Sequence, residues 1–520
     1  MKSFNLIDKE WIPCLFLNGE SRNLSLRETL AEGANIRELY SPSPLITASI
    51  QRLLQAVLWR VFRIEGLTDW KALWRAGAFD ATLLDSYLDQ WHERFDLLHP
   101  ERPFYQMSRL NLAKRTPLKR IGWEFAAGNN GTLFDHSSDD DRPVIDPADA
   151  ARWVTATQCF AASAGRGELG QLHTKDSPWS RGAVIFLLGD NLFQTLSLNL
   201  LGLIREDFGQ TDDDIPVWEK REDWEPAYDL TPAGILEYLT WQSRAIRLLP
   251  DENGDLRECY LAQGRSLRED FKREPAYAYE KDVKLGLRTW QFNEGRVWWR
   301  DSHTLLNLAA DAPFLLPKSL HHLGGLVREN IVDRKHLYQL QVLGQSLEAG
   351  QPIIRFWRNE RLPISPDYLN EKSLLDKLRE AIKLSEAYAD VLMESSYNLA
   401  RCLIEFTSGR QPDKKDVRDM VKHWQPDSIY WSQLEAPFKK LLISLPTDRS
   451  DPDEYDEYEY GRQAMPEWAS TLSRATRSAF LNAAKSLDGS SRGLKALAIA
   501  ERSFNVKMNK LSAGINQQSQ

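Results

Sequence analysis

Cysteine is scarce. Four residues (Cys14, Cys159, Cys259 and Cys402) are scattered through 520, with no C-x-x-C pair. That excludes a disulfide framework and a cysteine zinc site, and it suits a reducing cytoplasm. Phosphate-binding and hydrolytic signatures are missing too: the chain has no Walker A run, no G-x-S-x-G elbow and no H-E-x-x-H helix. The nine histidines form no ligand set. His321 and His322 are adjacent, so their rings leave a helix or strand on different sides, and nothing nearby completes a metal site. Long apolar runs are also lacking. The most apolar stretch, Gly182 to Ile204, is interrupted by Asp190, Asn191, Gln194 and Asn199, which points to a buried helix rather than a membrane span. The opening residues, Met1 to Asp8, lack the apolar core of a signal peptide. The expectation is a cytoplasmic protein without membrane association, catalysis, metal or cofactor.

What is present is material for packed interiors. Apolar residues make up 42%, including 18 Trp, 16 Tyr and 20 Phe, and a chain of this length calls for more than one domain. The formal net charge of -8 argues against free, non-specific DNA binding, which rewards clustered cations through counterion release. A total, however, conceals local patches. Acid is concentrated at Asp139 to Asp141, Asp212 to Asp223, and Asp448 to Glu459. Between Arg102 and Trp123 there is none, while Arg109, Lys114, Arg115, Lys119 and Arg120 are basic. That run reads either as a solvated loop or as part of a nucleic-acid face.

Periodicity divides the chain near Ser365. Residues 1–365 mix helical and strand patterns. Leu45 to Phe62 reads as a helix, and Ser180 to Leu203 as a second, more buried one. Strand patterns dominate from Ile246 to Leu362. Within them, Arg288 to Phe292 and Arg296 to Arg300 flank Asn293-Glu294-Gly295 as a hairpin. Tyr338 to Leu347 and Pro352 to Arg358 flank Glu348-Ala349-Gly350-Gln351 as another, with a polar tip. In residues 366–520, Leu374, Leu378, Ile382, Ala389, Leu392, Leu399 and Leu403 share one face of a long helix. Tyr430, Trp431, Leu434, Phe438, Leu441 and Leu442 mark a second helix, and Trp468 to Leu487 and Gly493 to Leu511 add two more. The fold class is α+β: a large mixed α/β N-terminal domain with a C-terminal four-helix bundle.

One literal phosphate fingerprint occurs, Gly165-Arg-Gly-Glu-Leu-Gly170. A dinucleotide site needs a strand before it and a helix opening directly after it, and Gln171 to Pro178 supplies no helix. Glycines without such a helix serve by letting backbone approach a partner. Aromatic residues beside basic ones, Trp298-Trp299-Arg300 and Arg355-Phe356-Trp357-Arg358, read as core and rim in preference to base-stacking platforms.

Dispersed segments carry a family resemblance. Asn5-Leu-Ile-Asp8 with Trp11-Ile-Pro13, His99-Pro-Glu-Arg-Pro-Phe104, Gly128 to Phe134, Gln351 to Pro363, and the helix from Tyr430 to Leu442 resemble, in order, segments of the CasA family. CasA proteins are the large subunits of the type I-E CRISPR Cascade complex. The resemblance implies a non-enzymatic protein with the architecture read above, working with other Cascade subunits and a CRISPR RNA. Such a protein recognises the PAM in target double-stranded DNA, helps open it and recruits a helicase-nuclease. RNA pairing reads the remaining sequence.

Residue by residue, Phe134, Asp135 and His136 resemble the segment that contacts the RNA 5′ handle. Gly165, Arg166 and Gly167 stand where the family has its glycine-rich PAM loop, although Arg166 and Glu168 interrupt the glycine run. A backbone without side chains can enter a minor groove about 6 Å wide, and Arg166 is a minor-groove probe in its own right. Gln351 resembles the family's glutamine wedge, with Gly350 providing the turn and Pro352 stiffening the exit. The family's minor-groove lysine falls within Glu280 to Lys284; Lys281 and Lys284 both fit, with Lys284 slightly favoured. Cys259 alone stands where some members have a cysteine cluster, so no metal is expected there. The alternative reading is a non-catalytic interaction scaffold within a nucleoprotein complex.

Overall fold

The computed structural model describes residues 3–122, 141–163, 174–201, 208, 211–221, 224–284, 286–302, 306–307, 314–348, 351, 353–448, 460–485, 487 and 489–518. Its backbone packing separates two units. The first comprises Met1–Arg296, Leu308–Asp333 and Tyr338–Leu362. The second comprises Val297–Asn307, Arg334–Leu337 and Pro363–Gln520.

The first unit runs through β1 (Ile12–Phe16), β2 (Ser21–Leu24), α1 (Leu26–Ala31), β3 (Ile36–Leu39), α2 (Pro44–Phe62), α3 (Leu67–Ala76) and α4 (Ala81–Gln90). Next come β4 (Thr116–Pro117), α5 (Pro147–Phe160), β5 (Val184–Leu188), α6 (Leu192–Leu198), β6 (Ala227–Leu230) and α7 (Ile235–Leu239). The chain continues with β7 (Arg244–Pro250), β8 (Leu256–Gln263), β9 (Arg265–Leu267), β10 (Tyr279–Asp282), β11 (Gly286–Thr289), β12 (Phe314–Leu315) and α8 (Lys318–Arg328). It ends with β13 (Tyr338–Leu347) and β14 (Ile354–Ile364).

Small sheets replace one large one. Their strand orders are β2-β1-β3, β4-β8-β7, β14-β13-β5 and β11-β10-β12, with β6 and β9 paired in parallel. Around them pack α2 and α5. Pro44 sits in the first turn of α2, where its missing N–H costs nothing. Every residue from Leu45 to Trp59 is buried, so α2 is a core helix enclosed on all sides. That agrees with the helix expected over Leu45 to Phe62.

Two expectations need correction. Ser180 to Leu203 is not one helix, because Val184 to Leu188 forms β5 and only Leu192 to Leu198 is helical. A buried apolar run does not by itself distinguish strand from helix. Here the β-branched and aromatic residues Val184, Ile185 and Phe186 favour the strand. Asn191 then starts α6 by accepting from the Gln194 N–H (2.9 Å). The hairpin expected around Asn293 to Gly295 is also absent. β11 ends at Thr289, and Trp298–Asp301 form a single 3₁₀ turn. Consecutive Trp298 and Trp299 are both buried, which strand alternation against one core does not allow. The strand-rich region, moreover, contains the helix α8.

The second unit consists of α9 (Asp367–Asn370), α10 (Lys372–Ser408), α11 (Lys414–Trp424), α12 (Pro426–Ser444), α13 (Ala464–Lys485) and α14 (Ser491–Gln518). Four long helices carry the bundle, and the short α11 was not foreseen. The expected stripe on α10 is buried at Leu374, Leu378, Ile382, Ala389, Leu392 and Leu399, while Leu403 is half-buried. The expected face of α12 is buried throughout. Trp299 completes this core, stacking on Phe438 at 4.1 Å and meeting Trp431 edge-on at 5.6 Å.

Candidate nucleic-acid interface

The ribbon formed by β13 and β14 is built outward from β5. β13 pairs antiparallel with β5, from Gln339 opposite Leu188 to Leu343 opposite Val184. Beyond that register, Gly344 approaches the entry to β5 so closely that a Cβ would stand 2.7 Å from the Gly182 carbonyl oxygen. Its φ of +152° adds a second reason for glycine. Gln345 then donates from Nε2 to the carbonyls of Phe160 (2.7 Å) and Ser180 (3.1 Å). At the tip, the Glu348 N–H donates to Ile353 O (2.9 Å) and the Gln351 N–H to Glu348 O (3.0 Å). Gln351 is exposed. The hairpin with a polar tip is therefore present where it was expected; Gly350 and Pro352 lie outside the described residues.

The stem is braced. Arg358 donates to the carbonyls of Arg296 (2.8 Å) and Glu294 (3.1 Å), and its guanidinium lies over Phe356 at 4.8 Å and Phe292 at 5.7 Å. Arg355 pairs with Glu294 at 2.9 Å and lies 3.8 Å from Glu348. The exposed ion pair adds little stability, but the backbone bonds and ring contacts fix the ribbon's direction.

A second ribbon carries the candidate lysines. β10 and β11 pair with Lys281 opposite Leu287 and Asp282 opposite Gly286. Gly286 adopts φ +73°, the left-handed conformation that such a turn needs. The Lys284 N–H donates to Asp282 Oδ1 (2.7 Å), and Asp282 lies 3.8 Å from Arg288. Lys281 and Lys284 are both exposed.

One strand joins these ribbons. The Ile185 N–H donates to Ala276 O (2.9 Å), Val184 bridges to Tyr277, and the Ala183 N–H donates to Trp290 O (3.2 Å). β5 thus holds the Gln351 ribbon through β13 and both roots of the lysine ribbon through residues 276–290. Ser180 to Ala183, which lead into β5, follow the glycine-rich segment. Gly165, Arg166 and Gly167 themselves lie outside the described residues.

The two ends flanking that segment are clamped by the half-buried Asp176 and the buried Gln263 and Arg244. The Ser163 N–H donates to Asp176 Oδ1 (2.8 Å), the Ser177 N–H to Ala161 O (2.9 Å), and the Lys175 N–H to Gln263 Oε1 (2.7 Å). Arg244 donates to the carbonyls of Ala161 (3.0 Å), Ala162 (2.9 Å) and Ser243 (3.0 Å). Burial brings its pKa down to about 10 although the Asp176 charge opposes the shift. None of these clamping residues was singled out from sequence. Lone glycines at Gly182 and Gly344 were the available signal, since glycine near a strand marks close backbone approach.

Other expectations fare differently. Phe134, Asp135 and His136 lie outside the described residues. In the basic run, Lys119 is buried near Asp141 (3.9 Å), Arg115 pairs with Glu258 (3.2 Å), and Arg109 lies 3.6 Å from Glu225. Much of that run is therefore engaged within the protein and makes no uniform cationic face. His322 is buried with its ring edge-on to Trp70 at 5.0 Å, whereas His321 is exposed. Among the described residues no three His, Cys, Asp or Glu side chains converge as a metal site. Burial pushes the Cys14 and Cys259 thiols up to about 12, the opposite of nucleophile activation. Nor is any described helix long and apolar enough to cross a membrane.

The fold and site define a class: a two-unit α+β chain whose described residues present polar ribbons. Comparison with known proteins supplies the family. A family model described as CRISPR-associated protein Cse1 matches residues 5–479, and the chain belongs to that family. It is 29% identical over 523 residues to the CRISPR-associated protein CasA/Cse1 of Thermus thermophilus, covering 98% of each chain. The crystal structure of Cse1 from Acidimicrobium ferrooxidans matches with a TM-score of 0.80 at 21% identity, covering 98% of each chain. A chain of a CRISPR RNA-guided surveillance complex matches with a TM-score of 0.76 at 21% identity, covering 98% of this chain and 100% of that one.

Proposed function

We propose that this chain is the large, non-catalytic subunit of a Cascade-type CRISPR surveillance complex, recognising a PAM in duplex DNA and prying the strands apart beside it. Family membership supports the setting. The observation that carries the mechanism is Gln351, exposed at the tip of a braced ribbon that shares β5 with the ribbon of Lys281 and Lys284. One of the two lysines, with Lys284 slightly favoured, is proposed to enter the minor groove. A stiff tip supplies the wedge, and its amide bonds base edges uncovered as stacking is lost, at roughly a few kcal/mol per step. Gly165, Arg166 and Gly167 are proposed to meet the minor groove, and Phe134, Asp135 and His136 the RNA 5′ handle.

In this reading residues 1–365 handle nucleic acid, and the bundle of 366–520 meets other Cascade subunits. The partners are those subunits, the CRISPR RNA, target double-stranded DNA and a helicase-nuclease; no cofactor is required. The test is strand opening by the assembled complex, followed with a fluorescent base analogue beside the PAM. Gln351→Ala should slow opening by about tenfold or more, on the scale of one lost wedge contact. Opening at the parental rate with limiting complex would remove Gln351 from the mechanism.

A further inference from the structure

Pro178 and Trp179 follow the glycine-rich segment in the chain, and the root of the lysine ribbon holds both. The Tyr277 hydroxyl donates to Pro178 O (3.0 Å). Its ring lies against the backbone of Gly182, where any Cβ would overlap it. Arg52 reaches Trp179. Its guanidinium lies over the indole at 4.6 Å and donates to Glu274 at 3.0 Å. Glu274 is itself fastened to the root, accepting from the Ala276 N–H (3.0 Å) while its own N–H donates to the Tyr279 hydroxyl (2.9 Å). Tyr279 opens β10, and the side chains of Arg52, Trp179, Glu274, Tyr277 and Tyr279 are all buried.

We propose that Tyr277 and Arg52 are positioning residues for PAM recognition, locking the lysine ribbon to the chain that leaves the glycine-rich segment so that both meet the duplex at one fixed separation. This rests on the reading of ribbon and segment as DNA-contacting elements. Among the described residues, the backbone ties of residues 276–290 to β5 are single bonds and one bridge rather than a ladder. Such ties leave the ribbon free to hinge, and the buried side chains remove that freedom. Two elements held rigidly have their ordering cost met in folding, and a wrong PAM that satisfies one of them loses the other. Held loosely, each adjusts alone and discrimination falls.

The experiment compares the affinity of the assembled complex for a duplex with its preferred PAM and for one with that PAM scrambled, at one salt concentration. Tyr277→Phe keeps the ring against Gly182 and loses the bond to Pro178. Arg52→Lys keeps a cation for Glu274 and loses the planar contact with Trp179. The affinity ratio of the two duplexes should fall about fivefold in Tyr277→Phe, the scale of one lost hydrogen bond, and further in Arg52→Lys. Binding to a target whose strands are already separated should not change. Added to Lys281→Ala/Lys284→Ala, Tyr277→Phe should lower the ratio no further, because the ribbon it positions has lost its contacts. A merely structural role would lower both affinities alike. A parental ratio in Tyr277→Phe, or a loss that adds in full to that of the lysine variant, would overturn the positioning role and leave the ribbon's DNA role standing. A parent that binds both duplexes equally would overturn the underlying reading as well.

Discussion

The two units use buried polarity in different ways. In the first, polar side chains deep in the core tie together segments far apart in sequence. Arg52 of α2 reaches Glu274 (3.0 Å) and the carbonyls of Tyr238 (2.5 Å) and Leu239 (3.0 Å). Glu274 in turn accepts from the Tyr238 hydroxyl (2.6 Å) and the Ala276 N–H (3.0 Å). Gln158 exchanges hydrogen bonds with the Arg244 backbone, at 2.9 Å each way. In the bundle, by contrast, the buried Ser and Thr hydroxyls that find partners do so on their own helix. Ser385 donates to Ile382 O (2.7 Å), Ser396 to Leu392 O (2.8 Å) and Thr476 to Leu472 O (2.7 Å). Cross-helix bonds there come from aromatic tips, such as Trp468 Nε1 to Ala381 O (2.9 Å).

The contrast teaches what each unit must specify. Helices close their own backbone bonds, so a bundle needs apolar complementarity and little else. Short strands and long connections leave many peptide groups without regular partners, and buried ones must be bonded somewhere. In the first unit side chains such as Arg244, Gln158, Gln263 and Gln345 meet that need. The same bonds aim the ribbons and clamp the ends of the glycine-rich segment.

The sharpest way to break the comparison is to remove one partner from each unit. Glu274→Ala strands a buried guanidinium and should destabilise the first unit by about 3–5 kcal/mol. Ser395 in the bundle is buried, and its hydroxyl has no hydrogen-bond partner among the described residues. Ser395→Ala should therefore be neutral or stabilising by about 0.5 kcal/mol. Urea midpoints for the two variants check this. Equal losses would erase the distinction.

A smaller effect, dependent on pH, belongs to the first unit. Burial lowers the pKa of His322 from 6.5 to about 4. Between those values the unfolded chain binds a proton that the folded chain excludes, so stability falls as pH falls. The contribution is complete above pH 6.5 and should decline by roughly 2–3 kcal/mol on approaching pH 4. His322→Phe should flatten that acid limb of the stability profile measured by urea titration; an unchanged limb would show that His322 does not set it.

Legibility from sequence follows the same division. Leu374 to Leu399 and Tyr430 to Leu442 repeat at helical spacing, so the bundle's faces could be read directly. The ribbon ending at Gln351 was readable because two strand patterns flank a polar turn. β5 was misread because a strand buried on both faces loses its alternation. Its role as common spine was invisible for a different reason: pairing with residues 339–343 on one edge and with 276–290 on the other is long-range, and no local pattern encodes it. The clamp at Arg244 was hidden likewise, since its acceptors are carbonyls, which every residue possesses.

The most direct test of the central claim, that ribbons fixed on β5 read a short duplex tag, is selection from duplexes with randomised bases flanking a guide-matched target. The complex containing this chain should enrich one short flanking sequence by about 100-fold or more at fixed salt. A flat distribution, matching that of a complex lacking the chain, would contradict the account and leave a scaffold in its place.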